Sequence, residues 1–391
     1  MARYTVELPS PAHEMAQEEI CKQLPFLAPS ISNVRFSASG RCIEFDAPDG
    51  IADGLIGHVH QLARRVQRAL QNLQRKTIYR TARTALDPTE RAPARGVTML
   101  GPGQASLAGV PLRLLRYFDR VFEAFGETWD ANSIAVPALI PAAVLARCEY
   151  FRSFPQYVTF ASHLREDAAV IDAFRSRHDT AAALDASALA HMETPEACLS
   201  PALCYHIYHL HQGQRITEPH AVYGVCGKCF RYESTNTRDL RRLWDFTLRE
   251  IVFLGSRENV LEARSRSMEM MAHFLDLHQL AGEIRTASDP FFISPDAVSK
   301  TYFQLTSEAK FEVSLLLPGG ARTAVASHNY HSDFFGRAFD ITLSDASYMH
   351  SVCVGFGLER WVYAFLQQHG DRIEQWPQAV REAPEFRSAL A

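Results

Sequence analysis

The sequence predicts a mixed α/β chain in two parts: a small amino-terminal α+β module, then a larger domain with a mostly antiparallel sheet flanked by helices. Three observations lead there. The first eighty residues alternate as strand, helix, two strands and a long helix, an order that suits a compact α+β unit. Two strands, at 226–233 and 243–253, flank a loop of Ser, Thr, Asn, Arg and Asp and form a long antiparallel hairpin. Residues 349–361 read as a buried strand, a glycine turn at Gly355 and Gly357, and a helix carrying Arg360 in its first turns.

Within the module, Tyr4, Val6 and Leu8 alternate as a short strand. A helix is expected over 12–24, a strand pair near 34–36 and 42–45, and a second helix over 51–74. The end of the module is basic, with Arg64, Arg65, Arg68, Arg75, Lys76, Arg80, Arg83, Arg91 and Arg95 opposed only by Asp87 and Glu90. Such a run is either a solvated helix face or a docking surface for RNA or an acidic protein helix. Pro, Gly and Ala then dominate, so 87–107 reads as a linker between a 1–86 module and a 108–391 catalytic domain. That domain opens with an amphipathic helix over 112–125, built on Leu115, Phe118, Val121 and Phe122. A strand over 133–140 contains Pro137, which places it at an edge, a bulge or a subunit boundary.

Composition bounds the function. At 391 residues, 47% hydrophobic and 21% charged, the chain can bury a large core plus a smaller one. A formal net charge of -4 gives no global attraction to nucleic acid, so a polyanionic partner needs a local basic patch. No apolar run of about 18 residues and no amino-terminal apolar segment is present, which points away from membrane and export. The eight cysteines are expected to be reduced thiols of a cytoplasmic protein, some of them available to a metal.

In the hairpin, alternation puts Cys229, Arg231 and Glu233 on one face and Phe246, Leu248 and Glu250 on one face of the returning strand. If those faces converge, they offer an arginine, two carboxylates and an aromatic ring. That set suits a nucleotide: the arginine takes a phosphate, the ring stacks on the base, and a carboxylate accepts from an exocyclic amine. Arg360 adds a planar cation for phosphate oxygens or for the base's other face. The alternative is a hairpin with surface ion pairs.

Phe230, Arg231, Glu233, the polar loop, Phe246 and Glu250 resemble motif 2 of the class II aminoacyl-tRNA synthetases. Gly355, Phe356, Gly357, Leu358, Glu359 and Arg360 resemble motif 3, and Pro137 stands where motif 1 has its dimer-interface proline. Lys310 to Val313, Leu317, Pro318, Ser327, His328, Asn329, Asp333 and Phe334 resemble the seryl branch. The similarity, over roughly 109–366, is closer to the zinc-dependent seryl enzymes of methanogens and their truncated bacterial relatives, the amino acid:carrier-protein ligases.

This resemblance implies a class II antiparallel sheet and a catalytic zinc held by Cys204, Glu250 and Cys353, with a fourth position open to substrate. It implies ATP and Mg²⁺, with Arg231 on the α-phosphoryl, Arg360 at the β/γ end, Phe246 on adenine and Glu233 on its amine. Arg242, Leu243 and Glu312 complete the ATP set, while Glu250, Ser327 and Asn329 face a small amino acid. Arg231, Glu250 and Arg360 are the expected catalytic groups. The implied reaction is adenylation of glycine, alanine or serine and transfer to the phosphopantetheine thiol of a carrier protein, by a homodimer. Charging of tRNA is the alternative, and a regulatory paralogue a third reading. The chain departs from the carrier-protein ligases in having the added basic module.

Other clusters compete for the metal. Cys226 and Cys229 have zinc-ribbon spacing but lie on opposite faces of a strand, so they read as structural thiols. His206, His209 and His211 spread around a helix and read as satisfied polar groups. Cys148 and Cys198 rank below Cys204 because neither falls at the matching family position.

Overall fold

The computed structural model describes residues 2–28, 31–50, 53–71, 73–84, 86, 95–180, 183–233, 237, 239–289, 291 and 297–387. Its centre is an eight-stranded sheet. From one edge the strands are Thr77–Arg80, Gly282–Thr286, Lys310–Leu316, Arg322–Tyr330, His350–Gly357, Asp245–Gly255, His220–Phe230 and Asn132–Ile134. Every neighbouring pair is antiparallel except the last, which is parallel.

The central strands are buried on both faces, which is why they read as near-continuous apolar runs. On one face Ile251, Phe253, Val352, Val354 and Phe356 pack under helices Gly109–Glu127, Arg257–Leu277 and Leu358–His369. Phe122 stacks on Phe356 with ring centroids 4.1 Å apart, in a cluster with Phe118, Phe274 and Trp361. On the other face Val252, Leu254 and Cys353 pack beneath helix Cys204–Leu210 and Phe335 and Phe339. The remaining part of that face is open, and the candidate site lies there.

Several sequence expectations change in detail. The predicted 133–140 strand is two strands: Asn132–Ile134 at the sheet edge, and Leu139–Pro141 in a small sheet with Ala197–Leu199 and Phe160–Ala161. Pro137 lies in the break, where a missing N–H costs no ladder bond. The predicted 226–233 strand ends at Phe230. Gly355 and Gly357 sit within the His350–Gly357 strand, and the helix begins at Leu358, so no left-handed glycine turn is needed.

The module has three strands, Ala2–Glu7, Cys42–Ala47 and Ser32–Phe36 in that spatial order, with helices Glu14–Gln23 and Asp53–Leu70. Val6, Ile20, Ile43, Phe45, Leu62 and Val66 form its separate core, into which Leu305 of helix Ala297–Thr306 also packs. The module is stitched to the large sheet rather than tethered to it. Thr77–Arg80 is an edge strand of that sheet, and the expected linker contains a hairpin of Val97–Gly101 and Gln104–Leu107. Residues 87–94, with Asp87, Glu90 and Arg91, lie outside the described residues, as does Ile51.

Much of the basic run is engaged. Arg75 donates to Thr286 O at 2.7 Å and pairs with Glu18, Lys76 pairs with Glu308 at 2.8 Å, and Arg80 with Glu283 at 2.9 Å. Arg83 donates to Gln279 O at 3.2 Å. Arg64 and Arg68 remain exposed on the Asp53–Leu70 helix.

Close approach of backbone dictates glycine at position 336. A Cβ on Gly336, in helix Phe334–Phe339, would lie 2.3 Å from Met349 O and 2.9 Å from its N. Gly336→Ala should therefore destabilise the fold by about 3 kcal/mol. A lower thermal unfolding midpoint than wild type checks it.

Candidate active site

Strand register builds the floor of the site. Paired residues line up across four strands as Val252, Cys353, Asn329 and Lys310, and in the next row as Glu250, Gly355, Ser327 and Glu312. Neighbouring positions in a row are about 4.8 Å apart, so each row spans about 14 Å. Gly355 leaves a gap between Glu250 and Ser327. A Cβ there would meet Ser327 Oγ at 3.7 Å and Glu250 Oε1 at 3.8 Å, ordinary contacts, so neither backbone nor packing requires glycine.

At one end, helix Cys204–Leu210 brings Cys204 over the sheet. The ligand atoms of Cys204, Glu250 and Cys353 all lie within 4.8 Å of one another, and all three residues are buried. The Cys204 N–H donates to Glu250 Oε2 at 2.6 Å, and the Cys353 thiol donates to Glu250 Oε1 at 3.3 Å. Hydrogen bonding to Cys204, then burial and the Glu250 charge, push the Cys353 thiol well up. For Cys204 the bond from Cys353 pulls down, but burial and Glu250 outweigh it. Burial likewise pushes the Glu250 carboxyl up. Three acidic groups that resist ionising together are a donor set that a divalent cation would reverse, because its charge favours every deprotonated form. Tetrahedral ligands at about 2.0–2.3 Å from a metal are separated by about 4 Å or less, so a small inward movement of these side chains would let the two thiols and the carboxylate hold a zinc ion.

The other end gathers charge. Arg231, just past the strand end, donates from Nε to Pro201 O at 2.9 Å, and its guanidinium lies 5.5 Å from the Phe246 ring centroid. Phe246 is thus a support for Arg231 as well as a ring facing the pocket. Arg360 donates from Nε to Arg241 O at 2.8 Å and from Nη1 to Ala324 O at 3.2 Å. Glu233 lies between Arg242 at 3.5 Å and Arg360 at 3.9 Å, as counter-ion to both. Leu243, Phe246, Glu312, Ser327 and Asn329 all line the same pocket, and Arg242 reaches it through Glu233.

Sequence reasoning missed several groups. Lys310 is held by Asp289 at 2.6 Å and Glu312 at 3.0 Å. Burial alone would raise Asp289, but the Lys310 charge and hydrogen bond bring it down to about 2. Lys310 alternates with Glu312 on one strand face, a signal that was legible; Asp289, on a separate segment, had none. His331, two residues past Asn329, also lines the pocket, and burial pushes its imidazole down to about 4. Asn329 Oδ1 and His331 Nε2 are buried with no protein partner among the described residues, which leaves them to water or a ligand. Glu359 is a positioning group: its carboxylate accepts from Thr247 N at 2.8 and 2.9 Å and from Thr247 Oγ1 at 2.7 Å, beside Phe246.

Two of the three competing histidines, His206 and His211, have protein partners as expected. His206 bonds Ser200 Oγ at 3.0 Å and His211 bonds Tyr223 OH at 2.7 Å. Cys226 packs toward the helix-covered core, whereas Cys229 packs with Leu203, Val225 and Leu248. Among the described residues, Cys204, Glu250 and Cys353 are the one grouping with metal-ligating geometry.

No family model matches the chain. Its fold is that of the class II aminoacyl-tRNA synthetases: a seryl-tRNA synthetase of M. kandleri, in a crystal structure with A. aeolicus tRNASec, superposes with a TM-score of 0.68 at 18% identity. The superposition covers 98% of this chain and 76% of that one. In sequence, amino acid--[acyl-carrier-protein] ligase 2 of Bradyrhizobium diazoefficiens is 33% identical over 252 residues, which is 63% of this chain and 72% of that protein. The chain belongs to this ligase family. A type-2 serine--tRNA ligase of Methanothermobacter thermautotrophicus is 25% identical over 314 residues, 76% of this chain and 60% of that protein.

Because Gly355 is demanded by neither backbone nor packing, Gly355→Ala should fold with an unchanged thermal midpoint. Its methyl group would occupy the floor between Glu250 and Ser327 and lower kcat/KM at least tenfold. Thermal unfolding and steady-state kinetics on the same preparation check both halves.

Proposed function

We propose that this ligase uses ATP to activate a small amino acid as its adenylate and transfers the aminoacyl group to the phosphopantetheine thiol of a carrier protein. The observation carrying this reading is the shared floor. Strand Asp245–Gly255 carries both Phe246 and Glu250, and its neighbour His350–Gly357 carries Cys353 and runs into the helix that bears Arg360, so both reactants are held by one rigid element. Positioning of this kind supplies much of the rate in a reaction between two bound substrates.

In the first step a carboxylate oxygen of the amino acid attacks the α-phosphorus of ATP and pyrophosphate leaves. Arg231, clamped by Pro201 and Phe246, offsets the charge that gathers on the α-phosphoryl oxygens. Arg360 faces the β/γ end, with Mg²⁺ arriving as part of the nucleotide substrate. Phe246 packs on adenine, Leu243 lines its slot, and Glu233 reads the exocyclic amine while Arg242 holds it in place. Zinc, when bound by Cys204, Glu250 and Cys353, supplies a Lewis-acidic position for the substrate's α-amino group. Ser327 and Asn329 lie next along the rows and face the amino acid, and Glu312 bounds the nucleotide side. In the second step the carrier thiolate attacks the carbonyl carbon and AMP leaves.

The relatives named as serine--tRNA ligases favour tRNA charging as a second reading, with the amino-terminal module and its exposed Arg64 and Arg68 as the RNA contact. No described helix is long and apolar enough to cross a membrane. A reducing, cytoplasmic setting would keep both zinc thiols available. A homodimer, with Pro137 near its interface, remains part of the proposal, and sedimentation gives its test.

Radiolabelled amino acid and ATP, offered with holo-carrier protein or with total tRNA, separate the two readings. Label on the carrier thiol supports the first, and label on tRNA alone replaces it with the second. Cys353→Ser is expected to remove bound zinc, measured by metal analysis, and amino-acid-dependent pyrophosphate exchange with it. Full zinc content in that variant would assign the metal to other ligands. Arg231→Ala should slow exchange by about 10²–10³-fold while leaving zinc content unchanged.

A further inference from the structure

The amino-terminal module reaches the candidate site by two routes, one ending at Ser288 next to Asp289 and the other on Asp289 itself. By the first, helix Glu14–Gln23 grips the strand that leads into it. Glu18 pairs with Arg285 at 3.1 Å and with Arg75, which itself donates to Thr286 O at 2.7 Å. Lys22 Nζ then donates to Ser288 O at 3.4 Å, one residue before Asp289. By the second, Leu305 packs into the module's core, and its neighbour Gln304 holds Asp289. Gln304 Nε2 donates to Asp289 Oδ2 at 2.7 Å, and the Asp289 N–H donates to Gln304 Oε1 at 2.7 Å.

The remaining oxygen of Asp289 accepts from Lys310 Nζ at 2.6 Å. Lys310 stands at the far end of the row of Cys353 and Asn329, two strands from Cys353 and directly beside Asn329, which the proposed function sets against the amino acid. Ala287 N donates to Lys310 O at 3.0 Å, so the backbone of the same segment is tied to the same residue. Lys310 is buried and keeps its charge only because Asp289 and Glu312 face it. A buried ammonium that lost one partner would reorient or deprotonate.

We propose that the amino-terminal module is a working part of the amino-acid subsite: Glu18, Lys22 and Gln304 position Asp289, and Asp289 fixes Lys310 beside the bound amino acid. This rests on the reading of the site as an amino-acid-activating one. The three are positioning residues, none of which touches the reacting atoms. The module therefore sets amino-acid recognition, whatever carrier or nucleic acid its outer face meets.

The experiment uses the full chain and two readouts. In Glu18→Gln/Lys22→Ala, and separately in Gln304→Ala, the KM for the amino acid in pyrophosphate exchange should rise about tenfold. The KM for ATP and kcat should stay within twofold, and Lys22→Arg alone should keep the wild-type KM. Hydrogen exchange, read without substrate, should show faster loss of protection at Ala287 and Asp289 in both variants. Unchanged protection there, or both KM values rising together, overturns the proposal. A wild-type chain that catalyses no exchange with any amino acid would instead sink the proposed function, and the protection data would still decide the positioning.

Discussion

The pairing of Glu250 with Gly355, and of Gly355 with Ser327, governs the distances in this site. Three antiparallel strands in that register put a carboxylate, a gap and a hydroxyl in one line, with Cys353 and Asn329 in the line beside it. A slip of one residue in any strand would send its polar set into the helix-covered core and its apolar set into the pocket. The aromatic packing of Phe122, Phe356, Trp361 and Phe274 on the opposite face opposes such a slip, since it would expose the largest buried side chains of the sheet. The core and the site are thus two sides of the same constraint.

Charge is handled differently at the two ends of the floor. Around Lys310 the opposing carboxylates Asp289 and Glu312 are direct partners, and all three groups stay ionised despite burial. Cys204, Glu250 and Cys353 are three groups of one potential sign, and burial disfavours their ionised forms by more than the nearby Arg231 charge favours those of Cys204 and Glu250. The first arrangement is complete as protein. The second becomes favourable when a cation is supplied, because metal binding and loss of the thiol protons are linked.

The amino-terminal module illustrates why charge patterns in a sequence are ambiguous. Its basic run was compatible with a solvated helix face, the more ordinary reading, and with a docking surface. In the fold Arg75, Lys76, Arg80 and Arg83 are bonded to the large sheet or its neighbours. Arg64, Arg68 and Arg95 are exposed, and so are the bonded Lys76, Arg80 and Arg83. Whether an arginine faces solvent, a partner or a strand of its own chain depends on where the edge strand Thr77–Arg80 docks, and periodicity does not encode docking.

The sequence by itself determined the local elements and the chemical inventory. Alternation placed Phe246, Leu248 and Glu250 on one face, and all three line the pocket. The strand-to-helix run at 349–361 held Cys353 and Arg360 at a spacing that separates the two ends of the site. Such readings succeed because side-chain direction within one strand or helix follows from backbone geometry alone. Only the tertiary structure decided which strands are neighbours. The Lys310–Asn329–Cys353 row, the grip of Gln304 on Asp289 and the support of Arg231 by Pro201 join residues 15 to 30 positions apart. Contacts between segments depend on packing of the whole core, and no single segment contains that information.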